Sequence, residues 1–298
     1  MRILLSGASG LIGSHLGPFL TKRGHEVVRL VRGSAKSSAD SISWDPARGQ
    51  ISLSPEEPID VIINLAGENL GAKRWSRERK QEFLQSRVRS TSLLAETAAR
   101  MKNPPHLFVN ASGINFYGDR GDTLVTEDNR VGSGFLAEIC TAWEDATASA
   151  QRAGVRTVKA RFGMVLSRDG GALPKMIWPF RFGVGGKFGR GQQYMSWIAL
   201  PDLLEAIQHI LYSEQLSGPV NVVSPNPVTN AEFTRILARA LHRPALFSVP
   251  AWGLRALVGA EMATELLLAS TRVEPAKLIA SGFEFSCPTL DIALDTVL

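Results

Sequence analysis

The sequence predicts an α/β protein built on a doubly wound parallel sheet, with a smaller C-terminal substrate lobe. The first observation is a short apolar run at residues 2–5, of the kind that forms a buried parallel strand. The second is the glycine series Gly7, Gly10 and Gly13, which leads from that run into a helical stretch at residues 14–23. The third is the recurrence of apolar runs between helical patterns along the chain, as in a sheet with helices on both faces.

The glycine series predicts an anion-binding turn. Where a strand turns into a helix, unpaired backbone N–H groups and the helix dipole face the same point. In such a turn the first glycine permits the tight bend, the second lets a pyrophosphate approach, and the third lets the helix pack on the strand. An ordinary strand–helix turn is the alternative. The predicted cofactor contacts here are Gly7, Ser9, Gly10, Leu11, Ile12 and Gly13.

Composition limits the class of protein. The chain has 298 residues, 44% hydrophobic and 20% charged, which is typical of one globular α/β protein with room for an extra lobe. The two cysteines, Cys140 and Cys287, fit no metal spacing, so we expect no metal site and a reducing compartment. The start of the chain lacks a signal-like pattern, and no apolar stretch approaches the ~20 residues of a membrane span. We therefore expect a cytoplasmic protein with no membrane partner.

The net charge of +5 is moderate and dispersed. The one dense basic run, residues 73–80, is interpreted as the solvated start of a helix. No nucleic-acid-binding module accompanies it, so nucleic acid is excluded as a partner and a small anionic molecule is favoured. The oligomeric state stays open.

The second predicted strand, residues 26–32, ends in Arg32. NAD-binding folds usually place an acidic residue at this position, where it accepts hydrogen bonds from the ribose hydroxyls. An acid would repel a 2′-phosphate, whereas a guanidinium can bind it through paired charged hydrogen bonds. With Ser34 and Lys36 close behind, Arg32 predicts NADP(H) as the cofactor. The alternative is a surface arginine that ends an edge-facing strand.

A further buried strand at residues 59–67 ends in Asn64-Leu65-Ala66-Gly67. This segment and the GxxGxxG spacing resemble the short-chain dehydrogenase/reductase superfamily. The resemblance implies that Leu65, Ala66 and Gly67 pack against the adenine-ribose side of the cofactor.

The long helical stretch at residues 77–100 contains Arg87-Val-Arg-Ser-Thr-Ser-Leu-Leu94, which resembles the N-V-x-G-T-x-x-L-L helix of extended members. Arg87 stands where those members carry an Asn that faces the cofactor, and a second cation near the phosphates would suit NADP. Glu82, on the same helix, is also assigned to the cofactor site.

The strand at residues 106–112 is expected to carry the chemistry. Ser112-Gly-Ile-Asn-Phe-Tyr117-Gly118 resembles the S-S-x-x-V-Y-G stretch of nucleotide-sugar epimerases and dehydratases. The resemblance implies that the Ser112 hydroxyl bonds the substrate oxygen and lies at the cofactor. Tyr117 is the motif's structural tyrosine and is kept as a second catalytic candidate. Alternatively, Ser112 satisfies local backbone groups at the strand end.

The Tyr-x-x-x-Lys pair of the family is missing. Glu144 fits the last position of Y-x-x-x-K-x-x-x-E, which puts Cys140 at the Lys position and Leu136 at the Tyr position. Neither can replace the pair, because a phenol works as a general acid or base only when its pKa is lowered, usually by a nearby cation. Either another acid/base operates, or the site binds cofactor without the usual turnover.

The last third of the chain strengthens the resemblance. The motifs at residues 170–176, 179–186, 189–198 and 223–228 resemble the atypical, epimerase-like branch of extended short-chain dehydrogenases, of the YfcH type. A strand at residues 157–166 contains Val165, which the resemblance places at the cofactor. The glycine-rich, basic stretch at residues 167–190 fits a substrate-closing segment. Asp202 and Asn230 are predicted to cap the helices that follow.

These observations predict a Rossmann-like NADP-binding domain at residues 1–165, completed by about residues 196–224. Residues 166–298 are predicted to form mainly the substrate lobe and an α-rich C-terminal region. The predicted function is that of an NADP(H)-binding epimerase or oxidoreductase acting on a hydroxyl or carbonyl of a small, anionic, nucleotide-sugar-like substrate. The alternative is a noncatalytic NADP(H)-binding or redox-sensing protein.

Overall fold

The computed structural model describes residues 1–33 and 40–298, so the predicted contributions of Ser34 and Lys36 lie outside the described residues. The strands in chain order are β1 (Arg2–Ser6), β2 (Glu26–Arg32), β3 (Ser41–Asp45), β4 (Gln50–Ile51), β5 (Val61–Asn64), β6 (Leu107–Gly113), β7 (Leu124–Val125), β8 (Arg156–Phe162), β9 (Met164–Leu166), β10 (Gly186–Phe188), β11 (Tyr194–Met195), β12 (Trp197–Ala199), β13 (Gly218–Val222), β14 (Val228–Thr229), β15 (Phe247–Val249) and β16 (Arg272–Val273).

The helices in chain order are α1 (Leu11–Lys22), α2 (Arg77–Arg100), α3 (Phe135–Asp145), α4 (Ala148–Arg152), α5 (Leu173–Arg181), α6 (Leu200–Tyr212), α7 (Asn230–Ala240), α8 (Ala251–Val258), α9 (Ala260–Met262), α10 (Ala276–Ala280) and α11 (Leu290–Val297). A 3₁₀ turn covers Ile114–Tyr117, and a π-helical turn covers Ala263–Leu268. None of the helices in the described ranges is long and apolar enough to cross a membrane.

The central sheet has eight strands in the order β13-β8-β6-β5-β1-β2-β3-β4. All its neighbours are parallel except β3 and β4, which form an antiparallel hairpin at one edge. After β1 the chain adds β2, β3 and β4 on one side of β1, and it then adds β5 on the other side. In sheets of this topology, ligands bind beyond the carboxyl ends of the strands at the point of reversal. The candidate site is therefore expected above β1 and β5.

Helices cover both faces of this sheet. On one face α1 and α6 pack their apolar side chains, among them Leu16, Leu20 and Leu203, against the strands. On the other face α2 packs through Leu94 and Ala98. A doubly wound α/β sheet is confirmed, because each face of the parallel strands is buried by helices, as its continuous apolar runs require.

A separate apolar cluster lies after the central strands. It includes Trp197, Phe233 and Leu294, and it draws on the β9–β12 pair together with α5, α7 and α11. The division at residue 165 stays a prediction, since β13 returns to the central sheet after this region has begun.

Two predicted helix caps are wrong. Asp202 lies inside the first turn of α6, and its buried carboxylate accepts hydrogen bonds from the backbone N–H groups of Ser286 and Cys287, both at 2.9 Å. The cap of α7 is Thr229, whereas Asn230 accepts a bond from the N–H of Phe188 at 2.7 Å. Both side chains tie distant segments together. Such long-range partners leave no local signal in the sequence.

Candidate functional site

The glycine turn between β1 and α1 is shaped by close backbone packing. Gly7 has a φ of +69°, and a Cβ there would lie 2.7 Å from the carbonyl carbon of Leu65. A Cβ at Gly13 would lie 2.2 Å from the carbonyl oxygen of Gly7. The N–H of Gly10 donates to that same oxygen at 3.0 Å. Larger residues at positions 7 and 13 would push the turn open.

The helix that this turn opens has a free N-terminus. Gly10 is the N-cap of α1 and provides no side-chain hydrogen bond, and the first turn holds no acidic residue. Ser9 is exposed, and Leu11 and Ile12 are half-buried. Backbone N–H groups at such an end, together with the helix dipole, attract an anion. We call the close-packed turn at Gly7, Gly10 and Gly13 the glycine cradle. The cradle and the uncapped end of α1 both fit the pyrophosphate of a dinucleotide.

Arg32 ends β2, beside β1 at the same edge of the sheet. Its side chain is 58% exposed, and one of its guanidinium nitrogens lies 3.7 Å from a carboxylate oxygen of Glu68. At that distance and exposure the pair is weak, because solvent screens it. The guanidinium is therefore available to a phosphate.

A buried polar network joins the carboxyl ends of β1, β5 and β6. The Asn64 side chain accepts from the Ser6 hydroxyl at 2.5 Å and donates to Thr91 of α2 and Asn110 of β6, at 2.8 and 2.7 Å. The Ser6 hydroxyl also accepts from the N–H of Leu65 at 3.2 Å, and Ala66 donates to Asn64 at 3.3 Å. This network sets the course of residues 65–67. The sequence offered Asn64 as part of a motif, but its partners were missed.

Arg87 lies behind Gly67 with its guanidinium buried. A Cβ at Gly67 would lie 3.1 Å from the Arg87 Cζ atom. The guanidinium donates to the carbonyl oxygens of Phe83 and Glu68, at 3.1 and 2.9 Å, and lies 4.9 Å from the ring of Trp143. Burial lowers the pKa of Arg87 to about 10, so it is still charged at neutral pH.

The two candidate catalytic hydroxyls are both engaged inside the protein. The Ser112 hydroxyl donates to Glu144 at 2.8 Å, and the residue is only 4% exposed. Glu144 forms a bidentate ion pair with the buried Arg161, at 2.8 and 2.9 Å. The Tyr117 hydroxyl donates to Asn221 at 2.7 Å and accepts from Arg161 at 2.9 Å.

This geometry changes what is expected of both hydroxyls. Burial raises the pKa of the fully buried Tyr117 phenol, which fits its structural role and not a catalytic one. Ser112 faces the Glu144–Arg161 pair instead of an open cleft. The predicted contact of Ser112 with substrate stays a prediction, and it would require this hydroxyl to leave Glu144 or to be shared with it.

The Tyr and Lys positions of the family motif are filled by apolar packing. Leu136 and Cys140 lie on α3, 3% and 5% exposed. A Cβ at Gly113, the last residue of β6, would lie 3.7 Å from the Cys140 sulfur. Burial raises the pKa of the Cys140 thiol to about 11, so it is protonated at neutral pH. A buried thiol that stays protonated is a poor nucleophile and a poor base.

The remaining predicted contacts lie in less specific surroundings. Glu82 is exposed and pairs with Arg79, one turn earlier on α2, at 2.8 Å. Val165 lies in β9, half-buried. The loop after β9 returns to the glycine turn, since a Cβ at Gly171 would lie 3.1 Å from the Leu11 side chain. Among the described residues no cluster could hold a metal ion.

The doubly wound sheet, the glycine cradle and the uncapped helix at the point of reversal define a dinucleotide-binding α/β protein of the epimerase type. The chain belongs to the NAD dependent epimerase/dehydratase family, whose model matches residues 3–224. Residues 249–297 match a second model, a domain of unknown function (DUF1731).

Three known proteins show how far this likeness extends. An epimerase family protein of Mycobacterium leprae is 41% identical over 98% of this chain and 94% of its own length. The crystal structure of human epimerase family protein SDR39U1 (isoform 2) with NADPH is 34% identical, with a TM-score of 0.89, over 100% of this chain and 99% of that one. The nucleoside-diphosphate sugar epimerase of Corynebacterium glutamicum is 36% identical, with a TM-score of 0.82, over 100% of this chain and 58% of that one.

Proposed function

We propose that this chain is an NADP(H)-dependent oxidoreductase of the epimerase type, acting on a hydroxyl or carbonyl of a small, anionic, nucleotide-sugar-like substrate. The observation that carries the proposal is the juxtaposition of the glycine cradle, the uncapped N-terminus of α1 and Arg32 at one edge of the sheet. When bound there, the cofactor supplies hydride transfer, and the protein supplies binding and orientation.

The choice of NADP(H) over NAD(H) rests on Arg32. The 2′-phosphate of NADP(H) is a dianionic group that a guanidinium can bind through two charged hydrogen bonds. Among the residues that the structure describes, Glu68 is the ionic partner of Arg32, at 3.7 Å, and a phosphate would displace it. The human relative SDR39U1, crystallised with NADPH, supports the same choice.

The anionic substrate is supported by the segment that follows β9. It carries Lys175, Arg181, Lys187 and Arg190, and residues 170–201 contain no acidic residue. The Lys175 ammonium already bridges to the carbonyl of Gly71 at 2.8 Å, which links α5 to the loop after β5. Cations in such a segment favour a diphosphate. The Corynebacterium relative, described as a nucleoside-diphosphate sugar epimerase, supports this substrate class.

A noncatalytic NADP(H)-binding or redox-sensing role is the second candidate. It is favoured by one observation: Leu136 and Cys140 are buried apolar side chains at the positions of the family's proton relay. Ser112 and Tyr117, the other candidate groups, bond to Glu144, Asn221 and Arg161.

The cofactor proposal is tested by titrating the protein's fluorescence with NADPH and with NADH. We expect NADPH to bind at least about tenfold more tightly, a difference of about 1.4 kcal/mol that one good phosphate contact can supply. The Arg32→Asp variant should reverse the order, while Arg29→Asp, a charge change on the same strand, is the control. Equal affinities of the wild type for the two cofactors would contradict the proposal.

The chemistry is tested with a panel of keto- and hydroxy-nucleotide sugars. Purified protein is mixed with NADPH or NADP⁺ and each compound, and the absorbance of NADPH and the epimeric products are followed. Turnover of any member that depends on the cofactor supports the enzyme. Tight NADPH binding without turnover across the panel supports the noncatalytic role.

A further inference from the structure

Arg87 carries a buried charge that has no ion-pair partner in the described part of the chain. It is 7% exposed, and its hydrogen bonds go to the carbonyl oxygens of Phe83 and Glu68. Over residues 1–33 and 40–298, no carboxylate lies within ion-pair distance of this guanidinium. Two carbonyl dipoles and the face of Trp143 stabilise it at close range, and the Glu68 carboxylate adds a longer-range attraction. A buried cation held in this way keeps its positive potential instead of cancelling it locally.

The acidic side chains of the site are engaged elsewhere. Glu144 is paired with Arg161, and its remaining bond is to Ser112. The carboxylate of Glu68 is 40% exposed and forms no ion pair with Arg87, so solvent screens its attraction to that guanidinium, while the Glu68 backbone carbonyl accepts a hydrogen bond from it. Glu265 accepts from the first N–H groups of α3. The local charge at Arg87 is therefore positive.

The sheet topology places Arg87 on one side of the proposed cofactor site. Arg32 follows β2, on one side of β1, where it would hold the adenosine phosphate. Because the pyrophosphate would sit at the N-terminus of α1, the nicotinamide end must extend the other way, over β5 and β6. Arg87 lies against Gly67, which follows β5. Its guanidinium lies 4.9 Å from the ring of Trp143 on α3, the helix whose Cys140 packs against Gly113 at the end of β6. On this argument the guanidinium lies on the nicotinamide side, whereas the family resemblance placed the neighbouring Gly67 on the adenine-ribose side.

We propose that Arg87 makes this site bind reduced NADPH more tightly than oxidised NADP⁺. This inference rests on the proposed function. The two forms carry the same phosphates, and they differ in the ring, which is neutral when reduced and positively charged when oxidised. A fixed buried cation on the ring's side raises the free energy of the oxidised form alone. Arg87 is therefore a positioning charge that selects the redox state of the cofactor.

This selection narrows the reaction. The form that occupies the site from a mixed pool is NADPH, which donates hydride to a carbonyl. The proton that completes the alcohol then comes from solvent or from a side chain. An epimerase cycle that begins by oxidising a hydroxyl needs NADP⁺ instead. Of the two proposed reactions, reduction of a substrate carbonyl is thus favoured over oxidation of a substrate hydroxyl.

The test is the ratio of the dissociation constants of NADP⁺ and NADPH, measured by calorimetric titration of the full chain. We expect a wild-type ratio of at least about ten in favour of NADPH, the order that unit charges exert on each other through protein of effective dielectric about 20. Arg87→Gln should lower the ratio about tenfold, and Arg87→Lys should retain most of it. Because both constants come from one variant, a general weakening of the site cancels.

Arg32→Gln is the matched control. It removes a cation that both cofactor forms would contact equally through the 2′-phosphate, so it should weaken both and leave the ratio unchanged. A wild-type ratio near one overturns the inference, even if Arg87→Gln fails to fold, and so does an Arg87→Gln ratio equal to that of the wild type. Failure of the wild type to bind either form would overturn the proposed function itself, which is a different result.

Discussion

The half of the candidate site that we propose for the cofactor phosphates is made of backbone, whereas the half that we propose for the nicotinamide is made of side chains that bond to one another. In the phosphate half, Gly7 and Gly13 bring main-chain atoms too close together for a Cβ, and the N-terminus of α1 is uncapped. In the nicotinamide half, Ser112 and Tyr117 are tied to the buried Glu144–Arg161 pair. The first half is shaped to receive a ligand, whereas in the second half the two candidate catalytic hydroxyls are already hydrogen-bonded within the protein.

The largest effect that this comparison predicts is in the phosphate half. Gly13→Ala would place a Cβ 2.2 Å from the Gly7 carbonyl oxygen, so the turn must open. We expect NADPH affinity to fall at least about 100-fold, which is about 2.7 kcal/mol. Calorimetric titration measures this loss, and circular dichroism checks the fold.

Gly17→Ala on the same helix is the control. A Cβ there would make an ordinary contact of 3.7 Å with Leu5, so affinity should change little. If a folded Gly13→Ala protein bound NADPH as tightly as the wild type, the proposal that the backbone of the glycine turn binds the cofactor phosphates would be contradicted.

The next effect concerns stability in the nicotinamide half. Glu144→Gln leaves Arg161 buried without a counter-charge, which should cost about 3–5 kcal/mol of unfolding free energy. Ser112→Ala removes one hydrogen bond to a charged carboxylate but keeps the ion pair, so about 2 kcal/mol is expected. Urea unfolding of the two variants measures the difference. Equal costs would mean that the buried pair does not hold this half together.

The smallest effect is expected at Cys140. Because the thiol is buried and its pKa is raised to about 11, it should resist iodoacetamide in the native protein at neutral pH and react only after unfolding. Cys140→Ala should leave NADPH affinity within about twofold of the wild type, since a buried thiol behaves as a small apolar group. Rapid native-state alkylation, located by mass spectrometry, would instead show an accessible thiolate in this half.

The same contrast explains what the sequence could predict. The glycine turn and the α/β order are local patterns with a fixed backbone meaning, so the fold class and the α2 boundaries at residues 77–100 are confirmed. Helix α1 begins at Leu11 instead of residue 14, because the glycines themselves start the helix. The predicted strand at residues 157–166 is split at Gly163 into β8 and β9, which belong to different sheets.

The hydrogen-bond partners of the site's side chains could not be predicted from the sequence, for a physical reason. The Ser112–Glu144 bond spans 32 residues, and the Asp202 carboxylate finds its N–H partners more than 80 residues away. No periodicity or propensity encodes such separations. The spacing did identify Glu144 as a polar position on α3, but only the fold shows that its partners are Ser112 and Arg161.

The bond between Glu265 and α3 makes two stretches of the sequence dependent on each other. The carboxylate accepts from the N–H groups of Phe135 and Leu136, at 3.0 and 2.8 Å, and so supplies the helix cap that Gly134 lacks. Glu265 belongs to the C-terminal region at residues 249–297. If that region were exchanged between two relatives by recombination, the donor would have to bring an acid to this position, or the helix that carries Leu136 and Cys140 would lose its anchor. These two parts of the gene are therefore expected to be inherited as a pair.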